Sequence, residues 1–263
     1  MSPEAPSVAF DRAAACYDRT RGGTPEGTRK TIDLLVGELG GRGRALEVGV
    51  GTGQLALPLH AAGIPLVGID LARPMIDELV EKAGGRSPIP LVQGDATRMP
   101  FGDQALGGAY LRWVLHLIPA WRNVLAELAR VVRPGGVLLT SLGSCGGPRL
   151  EIQARFAEVT GVSIEPPGLG WDAYDELDEA AEALGFVSRD LLPIREMQRD
   201  GLNVFVDGIA NDAYSWTWKV EDPDVLARAA VDVRRWAEER YGPLDQIPLE
   251  EWETVWRAYD LPA

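Results

Sequence analysis

The chain of 263 residues carries 39 Asp or Glu against 26 Lys or Arg, a formal net charge of -13 that argues against nucleic acid or an anionic membrane surface as its main partner. Its two cysteines and two histidines stand in no metal-ligand spacing, so we expect neither a disulfide framework nor a bound metal. A charged N-terminal stretch and the lack of an apolar run of about 18 residues predict a cytoplasmic protein without a signal peptide or a membrane span.

The first part of the chain alternates short apolar strands with amphipathic helices. Strands are predicted over 44–49, 66–70, 90–95, 106–113 and 137–141. Helices are predicted between them, over 53–62, 73–82 and 119–132. Because strand and helix alternate strictly, we expect right-handed crossovers and a parallel sheet.

Beyond residue 144 the pattern changes to longer helical stretches. Helices are predicted over 148–160, 172–184, 201–217 and 223–241, with a loop at 165–171 and a strand over 185–194. The segment 252–259 places Trp252, Thr254, Trp256 and Ala258 at period two, which predicts a last strand that returns to the sheet. The helices in 145–183 and 200–241 are then insertions that cover the carboxyl edge of the sheet.

Three alternating glycines, Gly49, Gly51 and Gly53, follow the first predicted strand. In an open α/β sheet, ligands bind beyond the carboxyl ends of the strands, so this turn marks a nucleotide site. GTGQLA (51–56) fits the dinucleotide pattern, and Asp70 lies about 20 residues on, where a ribose-binding acid is expected. The glycine turn alone therefore leaves NAD open as the ligand.

Two carboxylates favour a different nucleotide. Glu47 stands inside an apolar strand, and burying an ionised carboxylate costs several kcal/mol unless a cation or good donors meet it. A pyrophosphate would repel this charge, whereas a ligand with an ammonium group beside the glycine turn would pair with it. Asp95 ends the third strand, where it is positioned to accept a hydrogen bond from an adenine amino group.

Four stretches in order carry a family resemblance: LEVGVGTG with Glu47, LVGID with Asp70, QGDATRMPF with Asp95, and LARVVRPGGVLL. Over residues 10–141 they resemble the successive motifs of class I S-adenosylmethionine-dependent methyltransferases, most of all the ubiquinone and menaquinone biosynthesis branch. The resemblance implies an α/β fold, Rossmann-like and doubly wound, with a mostly parallel seven-stranded sheet, an antiparallel last strand and a helical cap. Residues 1–144 would form the cofactor-binding core with an N-terminal lid, and 145–263 the cap insertions and the last two strands.

The resemblance also implies contacts to the methionine end of S-adenosylmethionine. Gly49, Gly51 and their backbone would pack on the methionine part of the cofactor, and Glu47 would meet its ammonium through water. Leu111 or Arg112, at the end of the fourth strand, would line the cofactor near the sulfonium.

At the adenosine end the family implies four further contacts. Asp70 would take the two ribose hydroxyls, and Leu71 would lie against the adenine. Asp95 and the backbone N–H of Ala96 would read the adenine edge.

FDRAAACYDRTRG (10–22) resembles the same branch and would form a mobile lid over the cofactor. Phe10, Tyr17 and Arg21 would lie on or near this lid, with Tyr17 and Arg21 one helical turn apart. Arg21 is placed to meet the methionine carboxylate. The alternative is a capping helix with a surface arginine.

Near the expected acceptor position, His116 is a candidate general base because an ordinary histidine pKa lies close to neutrality. The alternative is a satisfied structural histidine in an apolar run. Trp171, Trp216 and Trp218 either form the core of the cap or line an apolar acceptor pocket.

Together these features predict an S-adenosylmethionine-dependent methyltransferase that acts on a small organic molecule by in-line methyl transfer. An NAD-dependent oxidoreductase, which Glu47 and Asp95 disfavour, and a non-catalytic S-adenosylmethionine-binding regulator remain as alternatives. The sequence leaves open the acceptor, its reacting atom and the oligomeric state.

Overall fold

Nine strands and nine helices are found in this computed structural model, which describes residues 6–21, 24–143, 147–198, 201–246 and 250–263. The strands are β1 (Ala45–Val48), β2 (Leu66–Asp70), β3 (Leu91–Gln93), β4 (Leu106–Arg112), β5 (Val132–Ser141), β6 (Val187–Asp190), β7 (Ile194–Gln198), β8 (Glu250–Thr254) and β9 (Arg257–Asp260). The helices are α1 (Tyr17–Arg21), α2 (Pro25–Leu39), α3 (Ala56–Ala61), α4 (Arg73–Lys82), α5 (Trp121–Val131), α6 (Gly147–Thr160), α7 (Tyr174–Glu182), α8 (Leu202–Ala210) and α9 (Pro223–Tyr241).

Seven strands form one sheet in the order β3-β2-β1-β4-β5-β9-β6. The pairs from β3 to β5 are parallel, and β9 is antiparallel to both of its neighbours. The predicted doubly wound, mostly parallel seven-stranded sheet with an antiparallel last strand is confirmed. Its centre is buried on both faces: Leu46 and Val48 belong to one apolar cluster, and Ala45 and Tyr110 to the other.

The chain after β5 forms a second group of packed helices. Helices α6, α8 and α9 pack on one another around their own apolar cluster, which includes Phe156, Val206 and Val233. We call these three helices, together with the segment 211–222 that joins α8 to α9, the cap. Helix α9 begins as its sequence predicts, because the Asp222 side chain accepts a hydrogen bond from the backbone N–H of Asp224 and Pro223 occupies the first turn. None of the helices in the described ranges is long and apolar enough to cross a membrane.

The predicted strands over 185–194 and 252–259 are each wrong as single strands. The first divides into β6 and β7 around Pro193, which has no N–H to donate to a sheet ladder. The second divides into β8, which pairs with β7 in a separate two-stranded sheet, and β9, which joins the main sheet. Period-two alternation of side chains continues through such a change of partner, so the pattern does not reveal it.

The predicted helix over 201–217 is also too long, because α8 ends at Ala210. Asp212 adopts a left-handed conformation with φ 53°, which an α-helix does not accommodate. The turn is held by hydrogen bonds to Asp212: the Thr217 hydroxyl donates to its carboxylate at 2.7 Å, and the Trp218 indole donates to its carbonyl at 2.7 Å. Trp218 therefore stabilises the turn that follows α8.

Candidate active site

A cavity of about 270 Å³ lies where strands β1 to β4 end. Its floor comes from the ends of these strands, and its walls come from residues 7–31, the cap and the small β7-β8 sheet. The predicted site residues that line it are Tyr17, Arg21, Gly49, Gly51, Asp70, Leu71, Asp95, Ala96, Arg112 and His116. The fold therefore brings together nearly all of the residues that the sequence singled out.

The glycine turn between β1 and α3 forms one wall of the cavity. Gly49 and Gly51 have φ of 70° and 53°, a backbone region that favours glycine. A Cβ on Gly49 would also stand 2.6 Å from the Val114 side chain. The backbone N–H groups of Gly49 and Val50 donate to the carbonyl of Ile69 at 2.8 and 3.0 Å, which fastens the turn to the neighbouring strand.

Asp70 ends β2 and is fixed by the backbone on either side of it. Its Oδ2 accepts the N–H of Gly51 at 2.7 Å, and its Oδ1 accepts the N–H of Ala72 at 2.8 Å. Burial raises the pKa of this carboxyl above its ordinary value, while the two backbone donors oppose the rise. Each carboxylate oxygen keeps a further lone pair, so the side chain can still accept hydrogen bonds from a ligand in the cavity.

Asp95 lies one strand further along the same sheet edge. Its Oδ1 accepts the backbone N–H and the hydroxyl of Thr97 at 2.9 and 2.8 Å, which fixes the side chain although the residue is exposed. Leu71 and Ala96 add apolar surface next to Asp70 and Asp95. Two fixed carboxylates flanked by small apolar side chains suit a nucleoside with hydroxyl and amino donors.

Glu47 lies beneath the glycine turn and is not among the described residues that line the cavity. It is only 5% exposed, and its Oε2 accepts the Tyr110 hydroxyl at 2.8 Å, with a further bond from the backbone of Ala56. Burial raises the pKa of this carboxyl to about 8, while Tyr110 and Arg112 oppose the rise. The buried carboxyl is thus met by hydrogen-bond donors of the protein, and its pKa of about 8 leaves it mostly protonated at neutral pH. Leu111 likewise points into an apolar cluster, at 1% exposure, which leaves the cavity contact to Arg112.

Replacing Glu47 is expected to change how stability depends on pH. Because the folded-state pKa of about 8 lies above the ordinary 4.5, the stabilisation from the protonated form is complete below pH 4.5 and is lost as pH rises towards 8. One such group changes the free energy of unfolding by at most about 1.4 kcal/mol per pH unit. Urea unfolding of Glu47→Gln between these pH values should show a flatter dependence than the wild type. Equal slopes would contradict the assignment.

The N-terminal segment, residues 6–21, is anchored to both sides of the cavity. On the core side, Asp18 accepts the Thr52 hydroxyl at 2.6 Å and the Gln54 amide at 3.0 Å, and it pairs with Lys82. On the cap side, the Arg21 guanidinium lies 4.3 Å from the centre of the Tyr214 ring.

Phe10 supplies a second contact to the cap, because its ring packs on that of Trp218 at 4.9 Å. The segment therefore lies across the cavity, and it places Tyr17 and Arg21 in the wall.

His116 lies in the cavity wall, with its ring 4.1 Å from that of Trp171. Burial, assisted by the positive charge of Arg21, lowers its pKa to about 3. Its Nδ1 is buried, and no atom of the described chain forms a hydrogen bond with it. The near-neutral pKa expected of this residue is therefore wrong, and the imidazole is neutral at physiological pH.

Several wall residues carried no signal in the sequence. Arg149, Phe205, Tyr214 and Trp252 line the cavity from the cap and from β8. Only contact across the fold brings them together, since they come from four separate elements. Trp171 and Trp216 both line the cavity, and Trp216 is at the same time part of the apolar cluster of the cap.

Trp113 was also missed, although it follows directly after Arg112. It adopts φ 60°, which is rare for a bulky side chain, and a Cβ on Gly143 would stand 2.6 Å from its ring. Gly143 thus leaves room for the indole at the end of β4, where it lines the cavity.

Comparison with known proteins places the chain among methyltransferases. Residues 46–140 match the family described as a methyltransferase domain. The chain is 33% identical to a phosphatidylethanolamine N-methyltransferase of Cereibacter sphaeroides over 169 residues, which cover 61% of this chain and 81% of that protein. It is 32% identical to a demethylmenaquinone methyltransferase of Renibacterium salmoninarum over 146 residues, which cover 53% of this chain and 59% of that protein.

A solved structure shares the fold. It is the phosphoethanolamine N-methyltransferase 2 of Haemonchus contortus, in complex with phosphomonomethylethanolamine and S-adenosylhomocysteine. The TM-score is 0.55 at 16% identity, and the match covers 96% of this chain and 58% of that one.

Proposed function

Because the chain belongs to the S-adenosylmethionine-dependent methyltransferases, we propose that its cavity holds this cofactor at the strand ends and a small organic acceptor against the cap. The family resemblance that the motifs predicted is confirmed by the domain match and by the demethylmenaquinone methyltransferase relative. The same findings favour methyl transfer over the NAD-dependent oxidoreductase and the non-catalytic regulator that the sequence left open.

The observation that carries the proposal is the fixed carboxylate of Asp70 at the cavity, held between the N–H groups of Gly51 and Ala72. It would accept the ribose hydroxyls of the cofactor. Asp95 and the backbone of Ala96 would contact the adenine edge, and Leu71 its face.

At the methionine end, Gly49, Gly51 and Arg112 would form the floor, and Tyr17 and Arg21 would close the site from above. Arg21 would pair with the methionine carboxylate. Glu47 would lie beneath the turn and reach the ammonium only through water, since its Oε2 accepts the Tyr110 hydroxyl.

When bound, S-adenosylmethionine would supply an electrophilic methyl group. An electron pair of the acceptor would form the new bond to the methyl carbon, and the electrons of the broken carbon–sulfur bond would stay on sulfur. S-adenosylhomocysteine and any acceptor proton would then leave. The protein therefore has to align the acceptor and exclude water. The N-terminal segment serves both needs, because it lies across the cavity and is tied to core and cap. We propose that residues 1–144 mainly bind the cofactor and that the cap within 145–263 selects the acceptor.

We expect His116 to contact the acceptor and hydrogen-bond with it, and not to take a proton from it. Because its pKa is lowered to about 3, the ratio of wild-type to His116→Gln kcat should stay constant from about pH 5 to 8. A histidine base of ordinary pKa would instead lose about tenfold in rate per pH unit below 6.5. A ratio that changes in this way would contradict the neutral assignment.

A small-molecule acceptor is proposed over nucleic acid because the chain carries a net charge of -13. A cytoplasmic location is proposed because the 263 residues include two cysteines, too few for a disulfide framework. The names of the two curated relatives state acceptors of different chemistry, so they do not fix the reacting atom. The direct test is a transfer assay with radiolabelled methyl groups on hydroxyl, amine and carbon acceptors. Label in at least one acceptor class is expected, and label in none would contradict the proposed function.

A further inference from the structure

The guanidinium of Arg112 stands at the carboxyl end of β4, where it lines the cavity. Its Nη2 donates to the Oε1 of Gln54 at 2.8 Å, and its central carbon lies 4.7 Å from the centre of the Trp113 ring. Neither partner carries a negative charge. Because a guanidinium has five N–H donors, the contacts within the described ranges leave Arg112 with donors and a positive charge for a ligand.

The carboxyl groups near the end of β4 do not neutralise this charge. Burial raises the pKa of the Glu47 carboxyl to about 8, against the opposing effects of Tyr110 and Arg112, so the group is mostly protonated at neutral pH. Asp70 is bonded to the backbone on either side of it. In the part of the chain that the structure describes, neither carboxyl forms an ion pair with Arg112.

A second guanidinium, that of Arg21, lines the same cavity from the N-terminal segment. Its described partners are the carbonyl of Ala213, to which it donates at 3.4 Å, and the ring of Tyr214. Burial raises the pKa of Tyr17, and the charges of Arg112 and Arg21 both oppose the rise. Two cations, one from the sheet and one from the segment above it, therefore act on one buried hydroxyl, and an anion between them would be stabilised.

From these contacts we propose that Arg112 binds the carboxylate of the methionine part of the cofactor, opposite Arg21. The carboxylate is the one anionic group of S-adenosylmethionine, whereas the sulfonium is a cation that a guanidinium would repel. The family resemblance implies that Arg112 lies near the sulfonium, and this inference assigns its contact to the carboxylate instead. It rests on the proposed function, because it concerns the same cofactor in the same cavity.

Gln54 connects this guanidinium to the N-terminal segment. Its Oε1 accepts from Arg112, and its Nε2 donates to Asp18 at 3.0 Å, so the two ends of the amide match the two partners. Asp18 is itself fixed, because it accepts the Thr52 hydroxyl at 2.6 Å and pairs with Lys82. Gln54 is therefore a positioning residue, which orients Arg112 while the segment lies across the cavity.

The test compares S-adenosylhomocysteine with its decarboxylated analogue, which keeps the amine and lacks only the carboxylate. Calorimetry on the full chain should show that the wild type binds S-adenosylhomocysteine at least about tenfold more tightly, as expected of a charge-assisted pair. Arg112→Gln should reduce this affinity by about tenfold and leave that for the analogue within about twofold. Arg112→Lys, which keeps the charge but loses the planar fork, should fall between the two. Retained binding of the analogue also shows that the variant is folded.

S-adenosylmethionine itself separates the carboxylate from the sulfonium. Because it carries the same carboxylate, Arg112→Gln should weaken its binding by the same factor as that of S-adenosylhomocysteine. A guanidinium beside the sulfonium would repel it, so the substitution would then tighten S-adenosylmethionine relative to S-adenosylhomocysteine. Such tightening would overturn the inference.

The positioning role of Gln54 has its own readout. Gln54→Ala should reduce the affinity for S-adenosylhomocysteine by about fivefold and leave that for the decarboxylated analogue within about twofold, because only the carboxylate depends on the orientation of Arg112. An equal loss for both ligands would contradict this role.

A matched control is provided by Arg122, whose guanidinium lies 4.1 Å from the ring centre of its neighbour Trp121 and pairs with Glu176 at 2.6 Å. Neither Arg122 nor Trp121 is among the described residues that line the cavity. Arg122→Gln should leave the affinity for both ligands unchanged. Equal affinity of the wild type for the two ligands, or a preference that Arg112→Gln leaves undiminished, would overturn the inference while the cofactor site stands. Binding of neither ligand by the wild type would contradict the proposed function as well.

Discussion

Asp70→Ala is expected to reduce the affinity for S-adenosylhomocysteine by about 100-fold or more. Hydrogen bonds to a charged group each contribute roughly 1.5–3 kcal/mol, and the two ribose hydroxyls would both lose their acceptor. The substitution also removes the partner of the Gly51 and Ala72 N–H groups, which lie 2.7 and 2.8 Å from the carboxylate oxygens. Calorimetric titration of the purified variant measures the loss.

The matched control for Asp70 is Asp77→Asn on the helix that follows. Asp77 is exposed and forms an ion pair with Arg73 at 2.7 Å, away from the cavity wall. The Asp77→Asn variant should bind S-adenosylhomocysteine with wild-type affinity. Asp70→Asn, which keeps one carbonyl oxygen, should be intermediate. Wild-type affinity in Asp70→Ala would refute the ribose assignment.

Gly168→Ala is expected to lower the free energy of unfolding by about 3 kcal/mol. A Cβ at this position would lie well inside contact distance of the carbonyl oxygens of Leu115 and Ile118, and backbone atoms cannot turn away as a side chain can. The N–H of Gly168 also donates to the carbonyl of His116 at 3.0 Å, so a displaced loop would also shift the His116 segment of the cavity wall. In urea the variant should unfold at a lower concentration than the wild type, and its methyl transfer should be slower.

Gly170→Ala, in the same loop, controls for the general effect of an added methyl group. Its Cβ would stand 3.6 Å from that of Ala173, an ordinary contact. We expect a change of less than about 1 kcal/mol, in line with surface substitutions. If both variants lost the same stability, the close packing of Gly168 on the His116 segment would not be the cause.

Most of the core could be predicted from the sequence because its signals are local. Fully buried strands such as β1 form short apolar runs, interrupted in β1 by Glu47 alone, and the glycines and carboxylates that follow them mark the strand ends. The positions of Asp70 and Asp95 beside the cavity followed from the parallel topology alone. Glu47 was correctly predicted to be buried, but its partner Tyr110 comes from 63 residues away and no local pattern shows it.

The second half of the chain was predicted less well, because its organisation depends on contacts between distant segments. The period-two pattern over 252–259 fits two short strands as well as one, and only the pairing of β8 with β7 decides. The cap side of the cavity shows the same limit. Arg149, Phe205 and Trp252 lie on three elements, and their proximity is a property of the fold.

The central claim is that this cavity binds S-adenosylmethionine, and calorimetry on the full chain tests it most directly. Separate titrations with S-adenosylmethionine, S-adenosylhomocysteine and NAD should show saturable binding of the first two and none of NAD. Binding of NAD without binding of S-adenosylmethionine would contradict the account.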